Sequence, residues 1–70
     1  MKLFDVKNRE LKVGERVRVE QDVQSINGML YKNSIVKVDE FNVKTKKIRV
    51  TDNLGKIWWI EPEIVSASFL

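Results

Sequence analysis

The chain has 70 residues, a formal net charge of +3 at pH 7, and neither cysteine nor histidine; its pI is near 9.4. A single domain of this size buries only about 60% of the surface its unfolded form exposes, so the expected stability is modest, on the order of 3–5 kcal/mol. Disulfides, thiolate metal sites and catalysis by imidazole or thiolate are excluded, which leaves hydrophobic burial and backbone pairing to hold the fold.

The longest uninterrupted apolar run is Ile57–Ile60, far short of a membrane span. The opening MKLFDVKNRE has no long apolar stretch, so no secretory leader is expected. The lack of cysteine fits a reducing compartment, and the expected location is the cytoplasm. Acids and bases alternate along the chain, which reads as a solvated surface before it reads as a clustered nucleic-acid footprint.

Residues 1–12 read as an N-terminal extension. Leu3, Phe4 and Val6 suggest a short strand, Lys7, Asn8, Arg9 and Glu10 a turn, and Leu11 docks back; a frayed terminus is the alternative. Residues 15–20 alternate, with Val17 and Val19 facing in and Arg16, Arg18 and Glu20 facing out, the pattern of a half-buried strand entered at Gly14. Residues 21–32 form a long loop containing the turn dipeptide Asn27-Gly28, and a loop of that length in so small a domain is functional or structured in its own right. Its apolar end, Met29, Leu30 and Tyr31, is expected on the core rim. The second strand, 35–41, places Val36 and Val38 on one face and Ile35, Lys37, Asp39 and Phe41 on the other. Residues 42–46 form a short basic loop. No heptad, repeat or sustained helical period appears.

Residues 46–65, KKIRVTDNLGKIWWIEPEIV, carry both tryptophans, the single proline and the clearest turn signal. Two hairpin registers are available. A four-residue loop sets Val50 against Ile57 and Arg49 against Trp58. A type I turn with Gly55 left-handed sets Asp52 against Lys56, Val50 against Trp58, Arg49 against Trp59, Ile48 against Ile60 and Lys47 against Glu61. The second register puts glycine where positive φ is required and lets Asp52 bond its own turn. It also pairs opposite charges at both ends and makes one face uniformly apolar. A one-residue slip exchanges the tryptophans between faces. The expectation is therefore Trp58 inside and Trp59 outside, beside Arg49, whose guanidinium can lie on the indole.

The resulting order is a strand, a long loop, a strand, a short basic loop, a strand, a tight turn, a strand, a proline turn and a last strand near 64–69. This layout resembles the SH3-like small barrel. Residues 21–32 sit where that family has its RT loop, residues 42–46 its n-Src loop and residues 52–55 its distal turn. Ile60-Glu61-Pro62-Glu63-Ile64-Val65 is similar to the family segment in which an aliphatic and a proline precede a 3₁₀ turn. The resemblance implies an all-β fold: a five-stranded SH3-like barrel over residues 13–70, a docked extension over 1–12 and one 3₁₀ turn near Pro62. The Ala-Leu-Tyr-Asp-Tyr stretch of eukaryotic SH3 domains is missing and Tyr31 is the only tyrosine, so proline-peptide recognition does not carry over. What remains looks like the compact SH3-like proteins of bacterial and phage accessory genes.

Carboxylates such as Asp39, Glu40, Glu61 and Glu63 lie next to lysines and read as surface charge. No zinc ligand set, calcium-loop spacing or phosphate-binding glycine loop is present, so neither enzymatic activity nor a cofactor is expected. The informative surface is Trp59, Ile57 and Arg49, with Lys47, Lys46 and Lys44 nearby, extended by Phe41 and Ile35. Exposed tryptophan beside arginine is the composition of a protein-binding hot spot. The leading expectation is a binding module for a protein partner, such as a phage-encoded modulator acting in the host cytoplasm. A nucleic-acid binder using Lys44, Lys46, Lys47, Arg49, Arg16 and Arg18 is the alternative, because aromatic and basic residues stack on and neutralise single strands. A self-associating structural component is a third. The structural alternative folds Leu3, Phe4 and Val6 over Trp59 and Ile57 as a second small core.

Overall fold

The structure is a computed structural model that describes residues 2–26 and 28–67. Its strands are β1 (Arg16–Val19), β2 (Val23–Ser25), β3 (Gly28–Leu30), β4 (Ile35–Asn42), β5 (Lys47–Thr51), β6 (Ile57–Ile60) and β7 (Val65–Ser66), with a 3₁₀ turn at Pro62–Ile64. Five strands form one antiparallel sheet in the order β6-β5-β4-β1-β7, and β2 and β3 form a separate hairpin. The expected all-β architecture is therefore present, and among the described residues no helix is long and apolar enough to cross a membrane.

The alternating pattern sets the inner face of the sheet. Val17 and Val19 of β1, Val36 and Val38 of β4, Ile48 and Val50 of β5, and Trp58 and Ile60 of β6 are all buried in one core. Leu3, Leu11, Leu30 and Val65 complete it. Burial of a full aliphatic side chain stabilises by about 1.5–3 kcal/mol, so these positions carry most of what a chain without staples has to offer.

The long loop is structured: Val23 pairs with Leu30, Gln24 with Met29 and Ser25 with Gly28. Three-residue strands of mixed polarity leave little alternation to read, which is why the hairpin was legible only as a long loop. The Asn27 half of its turn dipeptide lies outside the described residues, as do positions 68 and 69 of the expected last strand.

One expectation is overturned in β4. Strict alternation puts Phe41 outside with Lys37 and Asp39. The β4–β5 register instead shifts between Val38 and Glu40, so that Glu40 opposes Arg49 and Phe41 opposes the buried Ile48. This bulge adds one residue to β4 and reverses the phase of everything after it. Phe41 therefore packs against the core, and Asp39 and Glu40 both come to Arg49. Ile35, before the bulge, is half-buried.

The N-terminal segment docks at the β7 end of the sheet. Asp5 is buried and its Oδ1 accepts the Lys7 amide at 2.9 Å and the Arg9 amide at 2.8 Å. Its Oδ2 accepts the Ala67 amide at 2.7 Å. Val6 donates to the Val65 carbonyl and Leu11 to the Leu3 carbonyl, which brings Leu3 and Leu11 into the core. Asn8 takes the left-handed conformation, φ 63°, that closes this turn.

Candidate functional site

The site is built on the β5–β6 hairpin, and its turn fixes which tryptophan faces where. Gly55 has φ +80° and donates to the Asp52 carbonyl, while the Asp52 amide donates to the Lys56 carbonyl at 3.0 Å. The ladder pairs Thr51 with Ile57, Val50 with Trp58, Arg49 with Trp59 and Ile48 with Ile60, which is the three-residue-loop register. Trp58 is consequently buried at 5% exposure, whereas Trp59 is 44% and Ile57 52% exposed.

Asp52 locks this arrangement. Its Oδ1 accepts the Leu54 amide at 2.9 Å and the Lys56 amide at 3.0 Å, and its Oδ2 accepts the Trp58 indole Nε1–H at 3.1 Å. Partial burial pushes the Asp52 carboxyl up. The indole, the two amides and the Lys56 charge outweigh that and hold it below its ordinary value. Lys56 in turn sets its ammonium 4.8 Å from the centre of the Trp58 ring.

Arg49 does not stack on Trp59. Its guanidinium turns along the sheet to Asp39, Nε to Oδ2 at 3.8 Å, and to Glu40, Nη1 to Oε1 at 3.8 Å. The bulge is the cause, since it sets two carboxylates on the face that Arg49 shares. Thr51 also donates its hydroxyl to Asp39. Among the described residues, the cation resting on an indole is Lys56 on Trp58.

The three lysines stay together at the β4–β5 end. Asn42 Oδ1 accepts the Lys44 amide at 2.9 Å and the Thr45 amide at 3.1 Å, and Lys46 donates its amide to the Asn42 carbonyl at 2.8 Å. Lys46 holds φ +58°, a conformation that favours glycine. Lys44, Lys46 and Lys47 are exposed, and none of them enters a salt bridge among the described residues. Arg18 is taken up by Glu20 at 3.1 Å. Arg16 lies across the sheet beside Lys37, away from the lysine loop.

The β2–β3 hairpin supplies what the sequence did not reveal. A depression of about 300 Å³ is lined by Gln21, Asp22, Val23, Trp59, Glu61 and Ile64 among others. A second, of about 370 Å³, runs past Val23, Gln24, Ser25, Ile57, Trp58 and Trp59. Lys47 borders both. Trp59 thus stands in a trough walled by β2, and Asp22 and Glu61 join the site. The Leu3, Phe4 and Val6 segment goes instead to Val65 and Ala67, so the second-core alternative is not what covers Trp59. A separate apolar depression of about 270 Å³ is lined by Met29, Tyr31, Ile35 and Leu54 among others. The signal for it was present in Leu54 and Tyr31, large side chains inside polar turns.

Compared with protein-family models, curated proteins and solved structures, the chain finds no match.

Proposed function

We propose that the chain is an SH3-like small barrel that works without enzymatic activity, as a binding module for a protein partner. Trp59 is the anchor, Ile57 packs beside it, and Lys47, Lys46, Lys44 and Arg49 form the polar rim. The observation that carries this reading is the outward placement of Trp59 and Ile57 on the outermost strand of the sheet, 44% and 52% exposed. The apolar extension that had the composition to cover them is docked at β7. Large aromatic side chains set in a depression with a charged rim are where binding energy concentrates. The order of long hairpin, basic loop, tight turn, 3₁₀ turn and closing strand supports the barrel assignment.

The nucleic-acid reading is weakened by charge pairing. Arg49 and Arg18, two of its six cations, face carboxylates of the same chain. Capture from a bacterial lysate tests the choice, using the wild type, Trp59→Ala and a variant with Lys44, Lys46 and Lys47 all changed to serine. The expected result is a protein band that survives nuclease treatment, is lost with Trp59→Ala and persists with the lysine variant. A band lost on nuclease treatment, or indifferent to Trp59, overturns the assignment.

A further inference from the structure

We infer that the trough beside Trp59 is a slot for one added β-strand, occupied by an extended, basic segment of the protein partner. This rests on the reading of Trp59 as a protein-binding anchor and gives that partner a chemistry. Successive side chains of a strand leave by opposite faces. A depression touched in succession by Ile57, Trp58 and Trp59 therefore runs along the edge of β6, and one touched by Val23, Gln24 and Ser25 runs along the edge of β2. The other edge of β6 is taken by β5 and the other edge of β2 by β3. Two strand edges thus face each other across the trough, with no ladder joining them among the described residues. An edge strand turns every second N–H and C=O outward, and such an edge accepts an extended peptide through its main chain.

The same geometry selects the occupant. β2 walls the side of the trough that faces β6. Lining the trough are two carboxylates, Asp22 and Glu61, and one ammonium, Lys47, none of which enters a salt bridge among the described residues; Asp22 Oδ1 accepts the Lys32 amide at 2.8 Å, and a second ammonium, that of Lys56, lies over the Trp58 ring away from the Asp22–Glu61 pair. An arginine or lysine entering at the Asp22–Glu61 end meets both carboxylates and the Trp59 indole. Alternate residues of the added strand lie beside Trp59 and Ile57 on the outer side and beside Trp58 and Val23 on the inner side, so apolar residues two apart complete the pattern.

The test uses ten-residue random peptides displayed on phage and selected against the full chain. The enriched sequence is then synthesised with single backbone N-methyl groups placed along it. Enrichment of peptides with one basic residue and apolar residues two apart is expected. N-methylation at two or more positions spaced by two should each weaken binding about tenfold, the loss of one main-chain hydrogen bond. Glu61→Gln and Asp22→Asn should weaken it several-fold, and more at low than at high salt. Failure to enrich any peptide, N-methyl tolerance throughout, or indifference to both carboxylate variants overturns the slot. The two claims separate cleanly. If capture of a whole protein needs Trp59 while no peptide behaves this way, the protein-binding reading stands and the strand slot falls. If Trp59→Ala leaves both peptide and protein binding unchanged, the reading beneath it falls as well.

Discussion

Asp52 sits in the turn between the two strands that carry the site and ties three donors together, the Leu54 and Lys56 amides and the Trp58 indole. Because its folded pKa is lowered, the charged form is the one the fold prefers. Its contribution to stability is present above the unfolded carboxyl pKa and is lost as pH falls through the lower folded value. Urea denaturation at a series of acid pH values should show this loss, and the Asp52→Asn variant should show a shallower decline. At neutral pH, Asp52→Ala leaves the buried indole N–H without its partner and should cost about 1–3 kcal/mol. Lys46 shows the opposite balance. A left-handed backbone costs a non-glycine residue about 1–2 kcal/mol, and glycine returns about 0.5–1 kcal/mol of that through its looser unfolded state. Lys46→Gly should therefore raise the urea midpoint slightly.

At the scale of elements, β6 sets a core residue and a surface residue side by side, Trp58 buried and Trp59 exposed. Trp58→Ala removes a buried aromatic and should cost about 3–5 kcal/mol, most of the stability of so small a domain. Trp59→Ala removes a half-exposed one and should change stability by less than about 1 kcal/mol; thermal melts of the two variants measure the contrast. This split was legible in the sequence because Asp52 and Gly55 at their spacing admit one good turn, and the turn dictates the register. The β4 bulge was not legible. No glycine or proline marks Val38, Asp39 and Glu40, and the backbone of such a bulge is open to ordinary residues. Missing it misplaced Phe41 and the partner of Arg49 together, since both depend on the phase of β4. The wall formed by β2 was hidden for a different reason. Which side chains face Trp59 across the trough is decided by the path of the 21–32 segment in space, and a three-residue strand with one valine carries little of that information.

For the molecule as a whole, the N-terminal segment bonds to Val65 and Ala67, whereas Trp59 and Ile57 stand on β6, so the two are probed by separate variants. Asp5→Ala removes the acceptor for the Lys7, Arg9 and Ala67 amides. It should cost about 2 kcal/mol or more and speed hydrogen exchange at Ala67, Val6 and Leu11, while leaving Trp59 exposed as before. A protein-binding role for Trp59 requires it to be bare in the free protein and covered in the complex. Acrylamide quenching of a Trp58→Phe variant, in which Trp59 is the sole indole, measures this directly, once free and once with the captured partner bound. Strong quenching of the free protein and marked protection in the complex are expected. Protection already in the free protein, or equal quenching in both, would contradict that role.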